Sequence, residues 1–334
     1  MFKYKPDTIG FIMKRQCNGG CDFCGINSTK EPGEKLTPEI MKDCIGQAYQ
    51  LGIESVGLTG GDPFDLEEVT DIISYVASKG MPSRLMTNGS YAKTLDEGER
   101  YARSLKEAGA SMIRVSVDET HGKAIPYECS FNAIKGALNQ GLGVTIASAY
   151  KMSTALKSRE MLEKLAKDLN GYVDNYGHKH PGYIRIVAGE KQVPILMAFI
   201  NNAGRARNLD RNEFFWYEPD PSEGCQSNQL IVNSNGNIMP CDSMFSLELD
   251  ELYAAGNVYG TRLSDAMKGI SEDSMIAFLK GPEGGKRLLD LLESSPEPEV
   301  SNIAKKKVTH FCEVCSDAMR NESARKLIEK AMKA

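Results

Sequence analysis

Short β-branched segments alternate with amphipathic segments from residue 8 to about residue 200, and this alternation limits the fold more than any other feature of the chain. Strands are predicted at 8–13, 53–59, 83–86, 112–117, 144–149 and 195–200, and helices at 37–51, 66–79, 92–108, 130–139 and 155–169. Strand–helix–strand units of this kind form a parallel sheet with right-handed crossovers. Six strands are fewer than the eight that close a full barrel, so we expect an α/β fold built as an open, partial (β/α)6 barrel of the TIM type.

The pattern changes after about residue 210. Two short strands, at 229–232 and 237–239, flank Ser234-Asn235-Gly236, which is typical of a tight hairpin turn. Helices are predicted at 263–279, 286–292 and 316–333, and the segment 294–307 is predicted to be an exposed linker. The segment 171–189, with an extra strand at 183–187, is interpreted as an insertion. We therefore place a core domain at 1–210 and a smaller α+β domain at 211–334.

Composition narrows the class of protein. The chain has 334 residues, a formal net charge of −5 and 25% charged side chains, which is typical of a soluble globular protein and argues against a nucleic-acid or membrane-surface binder. The sequence shows no signal peptide and no long apolar run. We therefore predict a cytoplasmic protein with no nucleic-acid or membrane partner. Its nine cysteines should stay reduced there, so closely spaced ones indicate metal or cluster ligands.

Cys17, Cys21 and Cys24 fall on one loop directly after the first predicted strand, at the mouth where the sites of barrel folds lie. Three thiolates on a tight loop can hold three irons of a [4Fe–4S] cube and leave the fourth iron open to a ligand. A zinc knuckle is the alternative, but it needs a fourth ligand nearby. The next cysteine, Cys44, lies in a predicted helix, and the first histidine is His121, so the spacing favours the cluster.

The triad, with the aromatic Phe23 before its third cysteine, resembles the signature of the radical SAM superfamily. In that superfamily a Gly-Gly-Glu-Pro-like turn after the second strand binds the amino group of S-adenosylmethionine. This chain has Gly60-Gly61-Asp62-Pro63 at the same place. The resemblance therefore implies that these four residues bind the cofactor, with an aspartate that reaches one methylene less far than glutamate.

Other strand ends extend the resemblance. It implies that the ribose and carboxylate of the cofactor are contacted by side chains that follow the third and fourth strands, namely Thr87, Asn88, Ser116 and Asp118. The run from Asp118 to His121 resembles one in peptide-modifying members, which makes His121 a candidate catalytic residue. Arg205 lies in a segment similar to the Gly-Arg-Ala element of members with an extra cluster domain. It either pairs with a carboxylate of cofactor or substrate or belongs to a solvated basic turn.

The resemblance also implies the reaction. The open iron would chelate the amino and carboxylate groups of S-adenosylmethionine. One electron from the reduced cluster, supplied by a flavodoxin- or ferredoxin-like donor, would release a 5′-deoxyadenosyl radical that removes a hydrogen atom from the substrate. The cofactor carries this reactivity, and the protein orients the reactants and excludes water.

Four more cysteines lie in the second predicted domain, a pair around the hairpin and a late Cys-x2-Cys pair: Cys225, Cys241, Cys312 and Cys315. They supply four ligands and leave no iron open. This set resembles the twitch or SPASM domain of radical SAM enzymes and implies one auxiliary [4Fe–4S] cluster, with a four-thiolate zinc site as the alternative. Of the two remaining cysteines, Cys44 is predicted to be a core residue. Cys129, in the loop after the fourth strand, is either a hydrogen-atom donor or another core thiol.

The complete layout resembles that of ribosomal-peptide maturases, in particular the YydG-like peptide epimerases, which implies a precursor peptide as substrate. In those epimerases the hairpin ends in adjacent cysteines, and the second returns a hydrogen atom to the substrate. Here Asp242 follows Cys241. A crosslink or oxidation, with Asp242 as the base, is therefore considered beside epimerisation.

Two further hypotheses stay open at this point. One is a radical enzyme that acts on a small molecule, such as an aminocyclitol dehydrogenase or a molybdopterin-precursor synthase. The other is a zinc or electron-carrier protein without catalytic activity. Only sixteen residues precede the triad, so no separate leader-peptide-binding domain is expected there.

Overall fold

The computed structural model describes residues 3–63, 65–174, 183–225, 227–247, 250–272, 275–280 and 283–333. Ten strands in this part of the chain form one sheet: β1 (Thr8–Ile12), β2 (Ser55–Thr59), β3 (Ser83–Thr87), β4 (Met112–Ser116), β5 (Gly143–Tyr150), β6 (Tyr172–Asp174), β7 (Tyr183–Ala188), β8 (Lys191–Phe199), β9 (Gln229–Val232) and β10 (Ile238–Met239). The order across the sheet is β10-β9-β1-β2-β3-β4-β5-β8-β7-β6.

The centre of the sheet is parallel. The six strands β1, β2, β3, β4, β5 and β8 run in the same direction, as the sequence predicts for a partial (β/α)6 barrel. β9 adds a seventh parallel strand beside β1. β10, β7 and β6 are antiparallel to their neighbours at the two edges of the sheet. The predicted insertion therefore contributes the last two strands on one side of the sheet, and its residues 175–182 lie outside the described part of the chain.

Helices follow most of the central strands: α1 (Pro38–Gln50), α2 (Leu66–Ser78), α3 (Leu95–Glu107), α4 (Glu119–Gly122), α5 (Tyr127–Asn139) and α6 (Ala155–Asp168). Their starts follow from local chemistry. The Thr37 side chain caps α1, with Pro38 at its first position, and Thr94 and Glu97 form a capping box at the start of α3.

The second half of the chain is mainly helical: α7 (Met244–Leu247), α8 (Asp250–Tyr253), α9 (Leu263–Glu272), α10 (Met275–Lys280), α11 (Gly284–Glu293), α12 (Pro298–Lys305), α13 (Cys312–Arg320) and α14 (Glu322–Lys333). α10 to α14 pack around their own apolar core. The hairpin of β9 and β10 joins the barrel sheet instead, so residues on both sides of position 210 share that sheet. The domain boundary near residue 210 stays a prediction.

Two sequence predictions in this half are wrong. The segment 294–307 is not a linker, because it contains α12, whose Val300, Ile303 and Ala304 are buried in the helical core. Its apolar residues are sparse and lie between charged runs, which hid the helical period. The predicted terminal helix begins earlier, at Cys312, and is interrupted at Asn321, which adopts an extended conformation.

The helix predicted at 263–279 corresponds to α9 and α10, and residues 273 and 274 between them lie outside the described part of the chain. Within the residues that the structure describes, no helix has the length and apolar character needed to cross a membrane.

Alternate residues of the central strands face opposite sides of the sheet. Leu85, Ile113 and Val115 are fully buried in the main core. The residues between them are half-buried on the concave face: Arg84, Met86, Met112, Arg114 and Ser116. The carboxyl ends of the parallel strands all lie at the same end of the barrel, and the loops with the predicted site residues begin there.

Candidate active site

The three N-terminal cysteines lie on the loop that follows β1, and backbone hydrogen bonds hold this loop in place. The Cys17 amide donates to the Thr29 carbonyl at 2.7 Å, and the Thr29 amide donates to the Arg15 carbonyl at 3.0 Å. The thiols of Cys17, Cys21 and Cys24 are all partly accessible to solvent. The loop therefore presents three sulfur atoms next to the carboxyl edge of the sheet.

The surroundings of these sulfurs suit metal ligation. The Gly19 amide lies 3.3 Å from Cys17 Sγ and the Ser28 amide 3.4 Å from Cys24 Sγ, and such donors stabilise a thiolate. Burial, followed by the neighbouring thiols, raises the pKa of Cys21 to about 12. Burial therefore disfavours a free thiolate at Cys21, and binding of a metal, which displaces the thiol proton, would stabilise the deprotonated form.

The turn after β2 packs directly on the cysteine loop. Gly60 and Gly61 have positive φ angles of 92° and 50°. A Cβ on Gly61 would lie 1.9 Å from the Gln16 carbonyl oxygen, and the Asp62 amide donates to that same oxygen at 3.1 Å. This close approach explains why glycine is needed here, and it fixes Asp62 beside the residue that precedes Cys17.

Asp62 is a buried carboxylate, with 1% of its surface exposed. It accepts hydrogen bonds from the Asn88 amide at 2.6 Å and from Thr87 Oγ1 at 3.1 Å. Burial raises the pKa of its carboxyl group to about 6, against the lowering effect of these hydrogen bonds. The adjoining Pro63 carbonyl accepts from Tyr101 Oη at 2.8 Å. The ends of β2 and β3 therefore meet at Asp62.

Asn88 connects the end of β3 to the cysteine loop, since its Nδ2 lies 3.6 Å from Cys17 Sγ and 3.3 Å from Asn18 Oδ1. Ser116 at the end of β4 is half-buried, and its carbonyl accepts from Ser130 Oγ at 3.1 Å. Both residues lie at the edge of the sheet where the sequence predicts them.

Asp118 orients His121. Its carboxylate accepts from the His121 amide at 2.7 Å, contacts His121 Nδ1 at 2.7 Å and accepts from the Ala149 amide at 3.0 Å. Phe23 packs edge-on against the imidazole, with ring centroids 4.8 Å apart. The structure therefore brings His121 to the rim of the cysteine loop through both Asp118 and Phe23.

Arg205 binds the back of the cysteine loop. Its Nε donates to the Cys21 carbonyl at 2.8 Å, and its guanidinium also contacts the Ser28 carbonyl. The preceding Gly204 approaches so closely that a Cβ would lie 2.3 Å from the Cys24 carbonyl oxygen. Arg205 is therefore half-buried against the backbone of the cysteine loop rather than in a solvated turn. A direct contact between Arg205 and the cofactor stays a prediction.

Lys151, directly after β5, is a site residue that the sequence interpretation missed. Its side chain is 5% exposed, and its Nζ lies 3.0 Å from Asp22 Oδ2 in the cysteine loop. The sequence feature that could have identified Lys151 is its position at the carboxyl end of a predicted strand. Its partner is 129 residues away in sequence, so no local pattern pointed to the pair.

The other four predicted ligands line one cavity of about 540 Å³: Cys225, Cys241, Cys312 and Cys315. They reach it from the loop before β9, the turn after β10 and the start of α13. Tyr253 Oη lies 3.1 Å from Cys315 Sγ. Burial raises the pKa of Cys312 to about 12, with Cys241 and Cys225 adding to the effect. The fold thus brings together cysteines that are far apart in the chain.

The late cysteine pair is anchored by a buried glutamate. Glu313, with 1% of its surface exposed, accepts from the Thr309 amide at 3.1 Å and pairs with Lys306 Nζ at 3.0 Å. Because Glu313 lies between Cys312 and Cys315, this network fixes the first turn of α13.

Both groups consist of thiols, and iron–sulfur clusters are held by cysteine thiolates, so both donor sets fit such a cluster. A zinc ion bound by four thiolates fits the later group as well.

The two remaining catalytic candidates lie at different places. Asp242 is exposed at the edge of the cavity that the four later cysteines line, and it accepts from Gln229 Nε2 at 2.7 Å. Cys129 lies in the first turn of α5 rather than in a loop, and it is buried. Burial raises its pKa, and the charged groups that influence it are Glu128, Lys93 and Glu97 rather than residues of the cysteine loop. Its role as a hydrogen-atom donor stays a prediction.

Comparison with known sequences places this geometry in context. A profile of the radical SAM superfamily matches residues 11–168. The YydG protein of Bacillus subtilis (strain 168), named for peptide biosynthesis, is 18% identical over 310 residues, which cover 92% of this chain and 90% of YydG. A probable GTP 3′,8-cyclase of Pyrococcus horikoshii is 29% identical over 131 residues. That alignment covers 39% of this chain and only 40% of the cyclase.

Solved structures share the fold. The anSMEcpe structure with bound AdoMet and the Cp18Cys peptide has a TM-score of 0.56 at 15% identity, over 98% of this chain and all of that one. The structure of BtrN in complex with AdoMet and 2-DOIA has a TM-score of 0.51 at 16% identity, over 90% of this chain and 96% of that one. At these identities the likeness concerns the fold alone.

Proposed function

This chain belongs to the radical SAM superfamily, and we propose that it is a peptide-modifying enzyme that cleaves S-adenosylmethionine and removes a hydrogen atom from a ribosomally made precursor peptide. The observation that carries the proposal is the junction of the cysteine loop with the ends of β2 and β3. There Cys17, Asp62 and Asn88 are joined by short contacts.

In this proposal Cys17, Cys21 and Cys24 hold a [4Fe–4S] cluster, which when bound supplies the electron that cleaves the cofactor. Asp62 is fixed to accept the ammonium group of S-adenosylmethionine, because its carboxylate is buried and already aligned by Thr87 and Asn88. Arg205 and Lys151 are positioning residues in this proposal, since they hold the cysteine loop on the sheet through its backbone and through Asp22.

The cavity lined by the four later cysteines is proposed to hold one auxiliary [4Fe–4S] cluster of the twitch or SPASM type. Support comes from the full set of four thiols around one cavity, which matches the number of thiolates that hold such a cluster. Tyr253 and the Glu313 network would support this cluster by fixing Cys315 and the start of α13.

A peptide is favoured over a small molecule as the substrate because of the extent of the alignments. The likeness to YydG extends over 92% of this chain, whereas the cyclase alignment covers 39% of it. We propose oxidation or crosslinking rather than epimerisation, since Cys241 is followed by Asp242 and no second thiol is adjacent in sequence. A flavodoxin- or ferredoxin-like protein is the proposed electron donor.

The reaction is tested by anaerobic incubation of the reconstituted enzyme with candidate precursor peptides in deuterated solvent, followed by mass spectrometry. We expect formation of 5′-deoxyadenosine and a peptide product that has lost two hydrogens. A product of unchanged composition that has gained one solvent deuteron would show epimerisation and contradict the proposed outcome. A small-molecule product with no change in any peptide would contradict the substrate class.

Replacing Asp62 with asparagine tests its role toward the cofactor. We expect Asp62→Asn to weaken S-adenosylmethionine binding about tenfold to a hundredfold, because losing a charged hydrogen bond costs about 1.5–3 kcal/mol. Only the ionised carboxylate attracts an ammonium group, and the pKa of Asp62 is raised to about 6. The affinity of the wild-type enzyme should therefore fall as the pH is lowered through 6, and the variant should lack this step.

Equilibrium dialysis of the anaerobically reconstituted protein at pH values on both sides of the Asp62 pKa measures both effects. Asp71→Asn is the matched control, because Asp71 lies on α2 and pairs with Lys42 on the outer surface. Equal affinities for the wild-type protein and Asp62→Asn would contradict the assignment.

A further inference from the structure

Two arginines share the concave face of the barrel. Arg84 lies on β3 and Arg114 on β4, and both face away from Leu85 and Ile113, which pack into the core against the helices. The register of the two strands makes the arginines diagonal neighbours on this face. Two cations therefore lie side by side inside the barrel.

Among the described residues, no carboxylate forms an ion pair with either arginine. In the described part of the chain, the Nε atoms of Arg84 and Arg114 are shielded from solvent and meet no hydrogen-bond acceptor. Burial, together with the charge of Arg84, lowers the pKa of Arg114. By contrast, Arg185 on β7 pairs with Asp174 on the adjacent strand at 2.9 Å. An unpaired buried charge is costly, so the pair calls for an anion.

Space for such an anion lies beside Arg84. Gly57 faces Arg84 across the β2–β3 pairing, and a Cβ built on Gly57 would touch only Gly10 and Thr8, at 3.8 and 4.0 Å. Arg84 also lines a cavity of about 680 Å³ that opens at the amino ends of the strands. This cavity is separate from the cysteine loop, which lies at the carboxyl ends.

The charge of the cavity mouth restricts the kind of anion. Asp7, Glu54 and Asp242 line the same cavity and are exposed at its rim. Asp7 and Asp242 accept hydrogen bonds from Thr8 and Gln229, at 3.0 and 2.7 Å. This acidic rim disfavours a dianionic phosphate more than a singly charged carboxylate.

We propose that Arg84 and Arg114 form a binding site for a carboxylate group on the floor of the barrel. A guanidinium donates two parallel hydrogen bonds to a carboxylate, and two adjacent guanidinium groups can hold both of its oxygens. The carboxylate is either a free small acid or an acidic side chain of a peptide. The site does not depend on the proposed reaction, because it is defined by residues outside the cysteine loop.

The test measures the thermal unfolding midpoint of the anaerobically reconstituted protein at constant ionic strength. Acetate represents a free carboxylate and N-acetyl-glutamate amide a peptide side chain, with chloride and phosphate as comparison anions. We expect saturating carboxylate to raise the midpoint by about 2 °C relative to chloride. A response to acetate assigns the site to free acids, and a larger response to the glutamate derivative assigns it to an acidic peptide side chain.

The variants Arg84→Gln and Arg114→Gln should lose this response. In chloride they should unfold at the wild-type midpoint or above it, because removing one charge relieves the repulsion between the two. Arg84→Lys keeps the charge without the planar fork and should respond less than wild type. Arg159→Gln is the matched control and should respond fully, since Arg159 pairs with Glu163 on the exposed face of α6. The proposal is overturned if no carboxylate shifts the wild-type midpoint, if phosphate alone does so, or if the glutamine variants respond like wild type.

Discussion

Replacing any one of Cys17, Cys21 and Cys24 with alanine is expected to abolish the formation of 5′-deoxyadenosine. Each thiol is partly accessible on the loop after β1, and in our proposal the three together are the protein ligands of one open cluster. Removing one of them leaves two ligands, which is too few to hold the cube. We therefore expect a loss of about four irons per chain and no detectable cofactor cleavage.

The control for this prediction replaces a cysteine that lies outside the loop. Cys44→Ala changes a cysteine that is buried in the apolar core on α1, so it should keep the full iron content. Iron analysis and chromatography of the cleavage product, after anaerobic reconstitution, give the result. Formation of 5′-deoxyadenosine by Cys17→Ala, Cys21→Ala or Cys24→Ala would show that the loop does not hold the catalytic cluster.

Replacing Cys312 or Cys315 with alanine is expected to separate cofactor cleavage from product formation. Both line the cavity of about 540 Å³ that the four later cysteines share, and Cys315 contacts Tyr253 there. Each variant should lose about four irons, retain cleavage of S-adenosylmethionine and fail to release oxidised peptide. The reason is that the proposed auxiliary cluster would no longer accept the electron that the substrate radical gives up as it loses a proton to a base. The thermal unfolding midpoint should also fall, because the proposed cluster would tie the β9–β10 hairpin to α13.

The same measurements on Cys44→Ala control for the loss of a thiol as such. Iron content, 5′-deoxyadenosine and peptide product are compared in one preparation of each variant. If the iron content of Cys312→Ala and Cys315→Ala is unchanged, these cysteines do not hold an auxiliary cluster. If the wild-type protein binds zinc there instead of iron, the site is a structural metal site.

The sequence predicts the barrel well because the relevant signals are local. Buried parallel strands are short apolar runs, and helix starts carry capping residues such as Thr37 and Thr94. The cysteine triad lies within eight residues, so its spacing alone indicates a cluster loop. For these features the structure adds the first and last residue of each helix and strand and the residues that each one packs against.

The features that the sequence does not reveal depend on pairs that are distant in the chain. Arg205 and Cys21 are 184 residues apart, and the spacing around Arg205 gives no sign that it binds the backbone of the cysteine loop. The Lys151–Asp22 pair is of the same kind. The burial of α12 was missed for another reason, since its three buried residues are flanked by exposed charged runs and only packing against the other helices reveals them.

The assignment of two iron–sulfur clusters is tested most directly by measuring the metal content and the cofactor cleavage of the protein after anaerobic reconstitution. We expect about eight irons per chain in two [4Fe–4S] clusters and, with reductant, conversion of S-adenosylmethionine to methionine and 5′-deoxyadenosine. Binding of zinc without iron, with no cleavage of the cofactor, would contradict it.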